Sequence, residues 1–234
     1  MTEPYAAPGI PVPPQPARPA GGRARWPLLG VAAGVLGIAA TLVSDVHPLV
    51  EQGQGYTSEY LDDVPRMMAH ISIVTGFAAV ALLLVLAAAW RRRVEPRLPG
   101  STAAHVVPHA LTASAGALTL GYAWKGSLAL YLPGGVEAGG FDAAGLYTMF
   151  VLNDFGSFIG WLGVVVAAGA IAWMGLRERT VSRWIGAISL LPVVVVAGAV
   201  CATGLPGFQG VIGPVWLTVA SLGLAFGRST IVRD

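Results

Sequence analysis

The chain has 234 residues, 55% of them hydrophobic and only 11% charged, with a mean hydropathy of +0.67 and a formal charge of +2. Soluble domains carry about 25% charged residues, so this composition excludes an ordinary water-soluble fold and predicts an all-α integral membrane protein in contact with the lipid bilayer. The basic residues form no dense patch, which argues against a nucleic-acid partner, and a single cysteine, Cys201, excludes an intramolecular disulfide or a cysteine-based zinc site.

Residues 1–25 hold seven prolines and almost nothing apolar enough to build a core. Such a segment stays extended and solvated, so a disordered Pro-rich cytoplasmic tail is expected. Six apolar segments follow, at about 26–44, 66–90, 107–131, 147–175, 183–203 and 208–227. Each suits the roughly 20 residues that a helix needs to cross a hydrocarbon core of about 30 Å. In lipid the backbone must satisfy its own hydrogen bonds, so these segments are expected to form a bundle of six transmembrane helices over 26–227. The first is read as an uncleaved signal anchor, and residues 228–234 as a short cytoplasmic C-terminus.

Orientation follows from lysine and arginine near the helix ends. Arg18, Arg23 and Arg25, then Arg91, Arg92, Arg93 and Arg97, then Arg177, Arg179 and Arg183, and finally Arg228 and Arg233 all fall on one side. Only Arg66 falls on the other, and Lys125 lies within an apolar helix. Both termini are therefore expected in the cytoplasm, in a multi-pass protein of a bacterial-type plasma membrane. The outer connections are acidic (Asp45, Glu51, Glu59, Asp62, Asp63) or glycine-rich (132–146). Asp62 and Asp63 beside Pro65 form a good helix start. Glycines recur at packing intervals, Gly30 with Gly34 and Gly156 with Gly160.

Lys125 is the sole lysine. Counted from Tyr131 it lies about 9 Å below the outer boundary, and Asp154, counted from Tyr147 on the next antiparallel segment, lies at about the same depth. A charge in a membrane costs several kcal/mol unless paired or hydrated. Three readings stay open: Lys125 reaches up to the headgroups, it forms an intramembrane ion pair with Asp154 that fixes helix docking, or the two belong to a solute or proton site. Asp45, His70, Tyr122, Asn153 and Ser157 are the other candidates for an outer polar cluster, with His47 near Asp45.

His105 and His109 share the spacing of one helix face, but no acidic or cysteine partner accompanies them, and Pro108 suggests that the helix only begins there. No metal site is expected. His70 and His109 fall at opposite membrane faces, too far apart to hold one haem. No phosphate loop, HExxH or GxSxG pattern occurs, so neither a cofactor nor catalysis is expected. The first expectation for function is a non-catalytic accessory or assembly protein with a membrane-protein partner or a second copy of itself. The alternative is a small-solute or proton-linked transporter or sensor built around Lys125 and Asp154.

Overall fold

A computed structural model describes residues 24–47, 57–227 and 229–232, apart from the side chains of Asp154 and Phe155. The Pro-rich tail lies outside the described residues, except for its last two positions, as do Glu51 in the acidic connection, Arg228 and Arg233. Among the described residues the chain is all-helical, without a strand. Helix α1 (Leu28–Ile38) runs into a π-turn at Ala39–Val43. Helices α2 (Arg66–Arg93), α3 (Thr102–Tyr131), α4 (Ala143–Ile159), α5 (Leu162–Trp173), α6 (Arg183–Thr203) and α7 (Phe208–Phe226) follow.

Four helical stretches are long and apolar enough to cross a membrane: Arg66–Arg97, Ala143–Glu178, Arg183–Thr203 and Phe208–Phe226. Leu28–Val43 is apolar but shorter. Helix α3, with 30 residues, is long enough at about 1.5 Å per residue yet falls outside that set. Its sequence carries His105, His109, Lys125 and many Ser, Thr and Gly residues, and it packs against α2, α4 and α5. Ser114, Tyr122 and Lys125 are buried against those neighbours, whereas Thr112, Gly116 and Leu120 on another face of α3 are exposed.

Three deformations shape the bundle, and the first two have a side-chain cause. Helix α3 starts at Thr102, five residues before the expected position, because Ser101 caps it by accepting from the Ala104 N–H at 3.1 Å. Pro108 then lies inside the helix and supplies no N–H to the Ala104 carbonyl four residues earlier. The indole of Trp90, only 2% exposed, donates to that carbonyl at 2.8 Å. His105 and His109 are consequently both helical, but they turn to separate partners, Glu95 at 3.4 Å and Arg91 at 3.1 Å.

The apolar run expected as one helix over 147–175 starts earlier, at Ala143, where Asp142 accepts from the Gly145 N–H at 2.8 Å. It also breaks between Ile159 and Leu162. In a continuous α-helix the Val164 N–H would bond to the Gly160 carbonyl. The Ser114 hydroxyl sits between them instead, donating to the Gly160 carbonyl and accepting from the Val164 N–H. A side chain inserted into the helical ladder is a recognised cause of a kink.

The third deformation is the π-turn that ends α1, in which the Ser44 N–H bonds to the Ala39 carbonyl at 2.9 Å, one residue further back than in an α-helix.

Helices α3 and α4 touch backbone to backbone where Gly121 meets Gly156, since a Cβ on Gly121 would collide with the Gly156 carbonyl group. Gly30 and Gly34 likewise seat α1 against Ser221 and Thr218 of α7. The apolar interior forms two clusters. The larger one fills the bundle towards its Arg-rich end, around Leu83, Trp90, Leu111, Leu118, Trp161 and Trp216. A smaller one, built from Val46, Leu61, Val64, Ala69, Leu128, Leu132 and Phe150, closes the opposite end.

Candidate functional site

Between the two clusters runs a layer of buried polar side chains, centred on the π-turn of α1. The turn leaves the Ala40 carbonyl without an ordinary helical donor, and three side chains converge on it: Ser72 at 2.6 Å, Lys125 at 3.1 Å and Ser44 at 3.2 Å. Lys125 and Ser72 are both 0% exposed. The lysine side chain thus runs inward from α3 to α1. One residue further, the Thr41 hydroxyl meets the Tyr122 hydroxyl at 2.8 Å and accepts from the Trp161 indole at 3.1 Å. Trp161 begins the second half of the broken α4–α5 run, so the kink is what brings its ring to α1.

Asn153 belongs to the same level. Gly121 faces Gly156, and the two helices run antiparallel, so about one turn along α3 to Lys125 matches about one turn back along α4 to Asn153. Asn153 is 0% exposed, and among the described residues neither its amide oxygen nor its amide nitrogen has a hydrogen-bond partner. Its backbone carbonyl accepts from Ser157, also fully buried, at 3.2 Å. An unsatisfied buried polar group costs about 1–3 kcal/mol, so an amide with both ends open marks a place that a polar guest would stabilise.

Asp45 and His47 stand at the edge of the layer, with His47 Nδ1 and Asp45 Oδ1 2.6 Å apart. Burial pushes the Asp45 carboxyl up, but the His47 hydrogen bond and charge, the Lys125 charge and the Val46 N–H outweigh it and hold the group below its ordinary range. The His47 ring packs edge-on against Phe150. His47 also lines a cavity of about 360 Å³, together with Phe158, Ile159, Phe208, Val211 and the Leu205–Gly207 turn. That volume falls within the range of small-molecule sites.

Of the residues singled out in the sequence, Lys125, Tyr122, Asn153, Ser157 and Asp45 enter or border this layer. His70 does not: it is exposed on α2, two residues and therefore about 200° around the helix from Ser72. The pairing of Lys125 with Asp154 lies outside the described residues, because the Asp154 side chain does; its backbone belongs to α4. Trp161, on the helical stripe of Asp154 and Ser157 in the sequence, also enters the layer, whereas Thr41, Ser44 and Ser72 are added by the structure. The pair Thr41 and Ser44 at the end of the first apolar run was the signal available for two of them. Among the described residues no group of three or more His, Cys, Asp or Glu side chains converges as a metal site. In comparisons with known proteins, no family, no curated protein and no solved structure matches this chain.

Proposed function

We propose that this chain is a six-span protein of the plasma membrane with both termini cytoplasmic, and that it binds a small polar solute in the layer around Lys125 and Asn153, as a transporter or sensor. The observation that carries this reading is a buried ammonium on a lone carbonyl at the level of an amide with no partner among the described residues. Such an arrangement is costly as architecture and useful as a receptor, since ionisable groups inside membranes mark solute and proton paths. The Asn153 amide offers a donor and an acceptor, and Lys125 offers donors only, so a small carboxylate or another oxygen-rich anion suits the pair. His47 and Asp45 lie between the layer and the 360 Å³ cavity, a natural entry for the solute or for a proton. Arginines on one side of the helices support the orientation.

The test is thermal unfolding of the detergent-purified protein against a panel of small carboxylates, inorganic anions and amines. A ligand at 100 times its Kd stabilises by about 2.7 kcal/mol. The reading expects an anion that raises Tm in the wild type and not in Lys125→Met. No stabilising solute, or one that acts equally on both proteins, would overturn it.

A second reading, the non-catalytic accessory or assembly protein, draws on α6. Only 28% of the apolar window of that helix is buried, against 59% and 61% for Ala143–Glu178 and Phe208–Phe226, so it offers the freest face for a partner helix. Native mass spectrometry after gentle extraction from the source membrane distinguishes the two: a stoichiometric partner protein supports assembly, and a lone chain refutes it.

A further inference from the structure

A groove lies between α2 and α3 at the Arg-rich end, lined by Leu84, Ala87, Ala88, Arg91 and Arg92 of α2 and Thr112 of α3, with a volume of about 570 Å³. It exists because the residues there are small: Ala87 and Ala88 form one wall, and on α3 a Cβ added at nearby Gly116 would meet nothing within 4 Å. The upper part of the groove is apolar and its mouth is cationic. Arg91 is held over α3 by His109, whose Nδ1 lies 3.1 Å from the guanidinium. Because a guanidinium only donates, that nitrogen accepts, which leaves the proton of the neutral ring on Nε2 as a further donor. Neither Arg91 nor Arg92 has a carboxylate partner among the described residues, and Glu95, the nearest acid in sequence, is engaged with His105 at 3.4 Å.

We infer that this groove binds one anionic phospholipid of the cytoplasmic leaflet, with its phosphate between Arg91 and Arg92 and an acyl chain along Leu84 and Ala88. Two uncompensated guanidiniums beside an apolar slot match a net-negative headgroup on a hydrocarbon chain, and basic pockets between membrane helices on the cytoplasmic side hold such lipids. A zwitterionic headgroup neutralises its own phosphate and fits the paired charges less well. A free anion would use the arginines but leave the apolar slot empty. The inference rests on the membrane-spanning reading and not on the solute site.

The experiment is native mass spectrometry of the full chain in detergent, after delipidation, with equimolar phosphatidylglycerol and phosphatidylcholine. The wild type is expected to retain phosphatidylglycerol by about tenfold over phosphatidylcholine. The double variant R91Q/R92Q should lose that preference. Thr112→Leu, which fills the groove and keeps both charges, should reduce retention of phosphatidylglycerol. Equal retention of the two lipids by the wild type overturns the inference. So does an unchanged preference in R91Q/R92Q, which would assign the lipid to other arginines at that end. Full retention in Thr112→Leu, or displacement by inorganic phosphate, would mean that charge alone acts. Unchanged Tm in each variant shows that the fold is intact. Separately, release of the protein from membranes by alkaline carbonate would refute the spanning reading, whereas a null lipid result with a carbonate-resistant protein refutes the groove alone.

Discussion

Replacing Lys125 by methionine separates the part of this residue that holds the bundle together from the part that carries charge. The side chain is 0% exposed, and its ammonium makes one hydrogen bond among the described residues, to the Ala40 carbonyl at 3.1 Å. That carbonyl keeps Ser72 as a donor at 2.6 Å when the ammonium is removed, and Ser44 stands 3.2 Å away, sharing its one hydroxyl proton with the Ala39 carbonyl at 2.8 Å. Lys125→Met therefore orphans no hydrogen-bonding group in the described layer, preserves most of the buried stem and relieves the desolvation of a charge, at the expense of the charge attraction to Asp45, which that desolvation outweighs. The penalty for holding one such ion out of water is several kcal/mol, and the methionine releases it. Lys125→Ala also removes the charge, but it deletes three buried methylenes at about 0.8 kcal/mol each, some 2–3 kcal/mol in all, and leaves a cavity. At about 2–4 °C per kcal/mol for a chain of this size, Tm of Lys125→Met should equal or exceed that of the wild type, with Lys125→Ala about 5–10 °C below the methionine variant. Thermal unfolding in one detergent, read by far-UV circular dichroism, measures all three. If Lys125→Met falls as far as Lys125→Ala, the ammonium is a structural tie, and its assignment to a solute site loses its physical basis.

Two further outcomes follow from the geometry. Ser114→Ala should lower stability by about 2 kcal/mol, because it strands the buried Gly160 carbonyl and Val164 N–H that the hydroxyl joins; an unchanged Tm would mean that the α4–α5 break closes by itself. Asp45→Asn should destabilise at neutral pH, since the native carboxyl is held below its ordinary range by His47, Lys125 and the Val46 N–H. A depressed carboxylate contributes stability that is complete above its unfolded pKa of about 3.9 and is lost as pH falls through the lower native value. The Tm gap between wild type and Asp45→Asn should then be widest at pH 5–7 and shrink on acidification below about pH 4; a gap that stays constant across that range would refute the coupling.

Five of the polar positions at or bordering the site were legible because polar groups stand out in apolar runs. Lys125, Tyr122, Asn153 and Ser157 lie within helices where each has an energetic reason to find a partner, and Asp45 ends the first run. Matching depths for Lys125 and residues 153–154 also followed from counting at about 1.5 Å per residue on antiparallel segments. Facing was less accessible. Helices that are apolar around most of their circumference give little azimuthal signal, so the sequence does not separate exposed His70 from Ser72, two residues on, which is the one directed into the layer. Likewise, α3 could not be recognised as the helix packed against α2, α4 and α5, although the polar residues that set it apart are visible in its sequence.

Composition and periodicity alone determined that the chain is helical, that several helices have the length and polarity to cross a bilayer, and that its arginines gather at one set of helix ends. These are sums over many residues, and no single contact alters them. The tertiary structure decided which backbone groups became available. Ala40, Ala104 and Gly160 matter here through their carbonyls, and a carbonyl is the same in every residue. The Ala40 carbonyl acts as an acceptor because α1 widens into a π-turn, and Gly160 loses its helical partner because Ser114 intrudes from another helix. Pro108 is visible in the chain, but the indole that answers it comes from Trp90. The site is made of helix distortions, and those depend on neighbours that only the folded bundle brings into contact.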